Sequence, residues 1–122
     1  MRNGEKGFTL IELLVVMAII ATLMTLVAPR YFQQTVRAKE VVLKHNLNTL
    51  RLSIDQFRHD NVDSPGKLEE MVEKGYLRQL PLDPITEKND SWVTKQDEQG
   101  QIIDVHSGSD KKSLDGSAYA SW

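Results

Sequence analysis

Residues 8–28 read FTLIELLVVMAIIATLMTLVA, a run that holds one charged side chain, Glu12, and neither glycine nor proline. As a helix this run is about 31 Å long, which matches the hydrocarbon thickness of a bilayer. It is apolar on every side, so it is not an amphipathic surface helix. It is also longer than the ~7–15-residue core of a secretory signal peptide and is followed directly by Pro29. We therefore predict a membrane-spanning helix.

The composition limits what the rest of the chain can be. The chain has 122 residues, a net charge of −2 and no cysteine. The length allows one small domain beside the span, and the missing cysteines exclude disulfide-stapled scaffolds and thiolate metal or redox sites. A charge balance near zero disfavours a nucleic-acid binder, which needs a basic surface.

Glu12 is the most informative residue because it lies inside the apolar run. A charge at the centre of a membrane helix costs ~2.5–3.5 kcal/mol, and less near an interface. Either Glu12 is close enough to the interface to be hydrated or protonated, or it pairs with a cation such as a terminal amine. Basic residues flank both ends of the span (Arg2 and Lys6 before it; Arg30, Arg37 and Lys39 after it), so charge alone leaves the topology open.

The remaining residues predict a small head built on a second, amphipathic helical segment. Apolar residues recur at helical spacing from Val36 to Phe57, which predicts a helix running to about Asp60. Ser64-Pro65 predicts the start of a short helix that ends at Gly75. Two short strands, 92–94 and 101–105, flank a turn at 97–100 and predict a hairpin lying on the long helix.

The segment Lys6-Gly7-Phe8-Thr9-Leu10-Ile11-Glu12 resembles the prepilin signature of type IV pilins and type II secretion pseudopilins. The resemblance implies that prepilin peptidase, a membrane enzyme, cuts between Gly7 and Phe8 and methylates the new amino group of Phe8. It also implies that Glu12 is the family's glutamate at the fifth mature position. The Phe8 ammonium of one subunit would then pair with Glu12 of its neighbour, which compensates two buried charges at once.

The same resemblance implies the architecture and the location. The fold class is α+β and pilin-like, with one long helix packed against a short helix and a small antiparallel sheet. The domains are a leader (1–7), a transmembrane and filament-core helix (8–28) and a periplasmic head (29–122). The chain would be a single-pass protein of the bacterial inner membrane that assembles, on an inner-membrane platform, into a filament with other pilin-like subunits.

The tail, Asp104 to Trp122, is similar to the carboxy-terminal loop of the major pseudopilin of type II secretion, where a calcium ion holds the loop. The resemblance implies Asp110 and Asp115 as ligands, completed by backbone carbonyls. Lys111 and Lys112 depart from that pattern. A loop held by Asx-type turns without metal is the alternative.

We therefore predict a structural subunit of a type II secretion pseudopilus, and not an enzyme. A type IV pilus subunit, used for adhesion, motility or DNA uptake, is the close alternative. A signal-anchored enzyme or binding module is the alternative from another class. The sequence shows no nucleophile–base pair, phosphate-binding loop or metal cluster, and His106 beside Asp104 is the nearest approach to a catalytic group.

Overall fold

A computed structural model describes residue 7 and residues 9–122 of the chain. It contains two helices, α1 (Leu10–Asp60) and α2 (Leu68–Glu73), and two strands, β1 (Val93–Gln96) and β2 (Ile102–His106). A short 3₁₀ helix, Tyr119–Ser121, follows near the end of the chain. This is the predicted α+β architecture, with a long amino-terminal helix, a short helix and a small antiparallel sheet.

Helix α1 runs without interruption through Pro29 and ends at Asp60, as the apolar periodicity predicted. Proline lacks an N–H group, so it removes one hydrogen bond while the helix continues on either side. By its contacts the chain divides into two units between Thr35 and Val36. The division of the chain into a leader, a span of residues 8–28 and a head remains a prediction.

The core of the second unit forms around one stripe of α1. Five of the six apolar residues that the periodicity singled out are buried, and Val36 is half-buried. The buried five are Leu43, Leu47, Leu50, Ile54 and Phe57. They pack with side chains from α2, from the hairpin and from the tail, namely Leu68, Met71, Trp92, Ile102, Val105 and Tyr119. The stripe is therefore covered by side chains of the same chain.

The predicted start of α2 is wrong. Ser64 does not cap the helix, which begins at Leu68 after Lys67 and has no side-chain cap. The carbonyl of Pro65 accepts a hydrogen bond from the amide of Ile102 at 2.8 Å, so this segment is tied to β2. The predicted end is confirmed: the helix ends at Glu73, and Gly75 has a φ of +85° that suits only glycine well.

The hairpin forms as predicted. Strands β1 and β2 are antiparallel, pairing Val93 with His106 and Thr94 with Val105, and a bulge follows Lys95. The Asp97 carboxylate accepts hydrogen bonds from the amides of Gln99 and Gln101, both at 2.9 Å. In this Asx-type turn, the Asp97 carboxylate accepts hydrogen bonds from turn amides in place of backbone carbonyls. These bonds stabilise the closed end of the hairpin.

Candidate assembly and processing site

The first turn of α1 holds Glu12, the residue predicted from the sequence to act in assembly. Thr9 precedes the helix, and its hydroxyl accepts a hydrogen bond from the amide of Glu12 at 3.1 Å. Thr9 therefore acts as the N-cap of α1, in the Thr-x-x-Glu spacing of a capping box. Glu12 is exposed on this first turn. An acidic side chain there is also favoured by the helix dipole.

The predicted processing site lies at the edge of the described region. Gly7 is exposed, and nothing approaches within 4 Å of the position that a Cβ would take. Phe8, the residue predicted to be methylated, lies outside the described residues, as do residues 1–6 of the predicted leader. The cleavage itself remains a prediction.

The apolar residues in the first part of α1, residues 10–28, are exposed on all sides of the helix. An 18-residue window of the helix has a mean hydropathy of 2.6, and none of it is buried within the chain. By length and composition this helix could cross a membrane. The Thr22 and Thr25 hydroxyls donate to the carbonyls of Ala18 and Ala21, both at 2.8 Å. These two hydroxyls are thus satisfied within the helix itself.

The tail loop contains both predicted calcium ligands. Asp110 is exposed, whereas Asp115 accepts hydrogen bonds from the Ser113 and Ser117 hydroxyls and from the Ser117 amide. These donors lower the pKa of Asp115 to about 2, so the carboxylate is anionic at neutral pH. Among the described residues, no group of three His, Cys, Asp or Glu side chains could hold a metal.

A polar network around the last residues of the chain was not foreseen from the sequence. The Arg51 guanidinium donates to the Asp104 carboxylate at 2.9 Å, to the Val105 carbonyl at 2.9 Å and to the Trp122 main-chain oxygen at 2.5 Å. Burial opposes ionisation of Asp104, but the Val105 amide and Arg51 outweigh it and lower the pKa. The only sign of this network in the sequence was that Arg51 lies beside the buried stripe of α1. Basic residues at such positions are usually solvated.

His106, the nearest approach to a catalytic group, is part of this network. Its Nδ1 lies 2.9 Å from the Trp122 main-chain oxygen, and its Nε2 lies 3.5 Å from the Asp104 carboxylate. Both ring nitrogens face structural acceptors, so the arrangement favours a packing role over general acid–base chemistry.

Glu40 links α1 to the same tail. Its carboxylate accepts hydrogen bonds from the Tyr119 hydroxyl at 2.7 Å and from the Leu114 amide at 3.1 Å. Burial, together with the charge and hydrogen bond of Glu40, raises the pKa of Tyr119 to about 12. The tail is thus attached at two separate points to α1.

Asp83 is a second feature that the sequence reasoning missed. It is fully buried, and its carboxylate accepts hydrogen bonds from the Ser107 hydroxyl at 2.6 Å and from the Ile85 amide at 2.9 Å. It lies in the Leu80–Pro84 segment, which contains two prolines. Asp83 joins this segment to the residue after β2.

Comparisons with known proteins bear on the same features. The family described as the prokaryotic N-terminal methylation motif matches residues 2–28. The type II secretion system core protein G of Pseudomonas aeruginosa is 33% identical over 99 residues, 68% of this chain and 70% of that protein. No solved structure gave a significant match.

Two further relatives carry the same name. The protein from Klebsiella michiganensis is 28% identical over 89% of this chain and 87% of its own length. The protein from Escherichia coli is 30% identical over 67% of this chain and 68% of its own length. These relatives are pseudopilins and not enzymes. With the methylation motif at its start and the pilin-like fold behind it, the chain belongs to the type II secretion system core protein G family, the major pseudopilins.

Proposed function

We propose that the chain, a pseudopilus structural subunit, is cut by prepilin peptidase between Gly7 and Phe8 and then polymerises through α1 on an inner-membrane assembly platform. The observation that carries the proposal is that none of the 18-residue apolar window of α1 is buried within one chain. Lipid covers such a surface in the membrane, and only neighbouring helices can cover it in a filament. The head would then lie in the periplasm.

Glu12 would set the contact between successive subunits. It is the one charged residue in the apolar run, and it lies in the first turn of α1, near the proposed new terminus at Phe8. A carboxylate in a membrane helix costs ~2.5–3.5 kcal/mol at the centre, and pairing with a neighbour's ammonium offsets part of that cost. Assembly would therefore give the Glu12 carboxylate a cationic partner from the neighbouring subunit.

Mass spectrometry of the chain coexpressed with a prepilin peptidase tests the processing step. The expected mass is that of residues 8–122 plus one methyl group. Gly7→Val should block the cut, whereas Gly4→Ala, which changes another leader glycine, should not. A mature protein that still begins at Met1 would contradict the proposal.

Cross-linking of assembled subunits tests the role of Glu12. Glu12→Gln should abolish the ladder of cross-linked multimers while the fluorescence of Trp92 and Trp122 shows a folded head. Glu98→Gln, which neutralises an exposed acid in the hairpin turn, is the matched control and should assemble normally. Normal multimers from Glu12→Gln would refute the ammonium–carboxylate pairing. A type IV pilus subunit would behave alike in both assays, but the relatives favour the pseudopilus.

We also propose that Asp110 and Asp115 bind a structural calcium ion. The donor chemistry fits, because the Ser113–Ser117 turn presents carboxylate and hydroxyl oxygens, which are hard ligands. Two carboxylates do not complete a shell of six to eight oxygens, so backbone carbonyls and water would supply the rest. Bound calcium would brace the tail loop.

Thermal unfolding of the full chain in detergent, with calcium or with a chelator, tests this second proposal. Calcium should raise the melting temperature, and Asp110→Asn should remove the rise. Asp90→Asn, another exposed carboxylate, should keep it. An identical melting temperature with chelator and with calcium would reject the ion and leave the serine-lined turn as the whole explanation.

A further inference from the structure

The residues that follow the apolar run of α1 form an aromatic and basic segment, Arg30-Tyr31-Phe32. The side chains of Tyr31 and Phe32 are each 67% exposed, although both are large and apolar. Their rings meet edge to face, with centroids 6.0 Å apart. Single exposed apolar residues are common, whereas a contiguous exposed apolar patch marks an interaction site.

Two observations place this segment at the boundary of a bilayer. The run 8–28 is about 31 Å long as a helix, so the next turn enters the headgroup region. Pro29 has no N–H, and the carbonyl of Thr25, one turn earlier, therefore loses its helical donor. Water can hydrogen-bond such a carbonyl at the membrane interface, whereas deep in hydrocarbon another protein group or an ordered water has to do so. The chain therefore leaves the hydrocarbon close to Pro29.

The side chains at this boundary have the chemistry of the interface. Tyrosine rings concentrate at the headgroup level, where the ring is buried and the hydroxyl is wet. Arginine can extend its guanidinium to lipid phosphates while its stem stays in the apolar layer. Arg30 is exposed, and the described residues give it no ion-pair partner. Anionic lipids would add to its attraction.

We propose that Arg30, Tyr31 and Phe32 form an interfacial anchor that binds phospholipid headgroups and fixes the depth of α1 before assembly. The anchor rests on the proposed membrane insertion of α1, but it does not depend on cleavage or on Glu12. Pulling a subunit out of the bilayer would then require these contacts to be released.

Single-cysteine labelling of the full chain in vesicles tests the anchor, because the natural chain has no cysteine. A fluorophore at Gln33→Cys reports on the anchor, and one at Ala18→Cys reports on insertion of the span. In vesicles of phosphatidylethanolamine and phosphatidylglycerol, both should be shielded from aqueous iodide. Spin labels at the headgroup level should quench the Gln33→Cys probe most strongly.

The decisive variant is Tyr31→Ser/Phe32→Ser. It should raise iodide quenching at Gln33→Cys about two-fold or more, whereas Val41→Ser/Val42→Ser should leave it unchanged. Val41 and Val42 are the matched control because they are also two consecutive exposed apolar residues of α1, with exposures of 67% and 46%. Arg30→Gln should remove any difference in iodide quenching at Gln33→Cys between these anionic vesicles and phosphatidylcholine vesicles.

The outcomes separate this inference from the proposed function. If the Ala18→Cys probe is open to iodide, α1 does not insert and the proposed function fails with the anchor. If Ala18→Cys is shielded but Gln33→Cys is fully open, only the anchor fails. A Gln33→Cys probe that becomes shielded only in assembled filaments would mean that the aromatic pair packs against another copy of the chain, which also overturns the anchor.

Discussion

Asp83→Ala should be among the most damaging single changes in the head. The Asp83 carboxylate is fully buried and accepts two short hydrogen bonds, from Ser107 at 2.6 Å and Ile85 at 2.9 Å, and a longer one from Thr86 at 3.4 Å. Truncation leaves a buried hydroxyl and an amide without an acceptor, at about 1–3 kcal/mol each. Relief of the carboxylate's own desolvation offsets part of this, so we expect a loss of about 2–4 kcal/mol.

Urea unfolding of the full chain in detergent measures this loss. Trp92 is a suitable reporter because its ring N–H donates to the carbonyl of Pro81 at 2.8 Å, in the segment that Asp83 anchors. The expected loss corresponds to a fall in melting temperature of about 10–25 °C for a domain of this size. Asp83→Asn, which keeps the shape and one acceptor, should cost less than half as much.

Asp90→Ala is the matched control, since it removes an exposed carboxylate from the same part of the chain. It should change the free energy of unfolding by less than about 0.5 kcal/mol. The reasoning is refuted if Asp83→Ala and Asp90→Ala are equally mild. It is also refuted if Asp83→Asn is as damaging as Asp83→Ala, because shape and hydrogen bonding would then not explain the effect.

Three further predictions concern the same head. Leu47→Ala should cost about 2–5 kcal/mol in urea unfolding because Leu47 is 1% exposed, whereas Leu52→Ala, at 59% exposure, should be nearly neutral; equal effects would place the core elsewhere. Gly108→Ala should lower the melting temperature, because its Cβ would lie 1.9 Å from the carbonyl oxygen of Ser91; an unchanged temperature would contradict that close approach. The pKa of Tyr119 is raised to about 12, so its hydroxyl should contribute stability that is complete below pH 10 and is lost as the pH rises towards 12. Tyr119→Phe should therefore reduce the fall in the free energy of unfolding between pH 10 and pH 12. An unaltered fall would contradict this prediction.

Much of the fold could be predicted from the sequence, and the candidate assembly site was proposed from it, because those features depend on local pattern. The apolar run, the position of Glu12 and the Gly7-Phe8 junction are read directly along the chain. The stripe from Leu43 to Phe57 indicated both the extent of α1 and the side that it buries, since a helix fixes which residues share a face.

Tertiary structure alone decided the contacts between segments that are far apart in the chain. Ser64 and Pro65 have the residue types of a helix start, but pairing of the Pro65 carbonyl with Ile102 moves the start of α2 to Leu68. Helix propensity does not decide the start of α2 because the Pro65 carbonyl, which would accept a hydrogen bond within the helix, accepts one from the distant Ile102 amide instead. The burial of Asp83 depends on Ser107, 24 residues later, and the role of Arg51 depends on Trp122, 71 residues later. Pattern along a chain fixes which residues lie together within one element, whereas the partners of a polar side chain are set only when separate elements have packed.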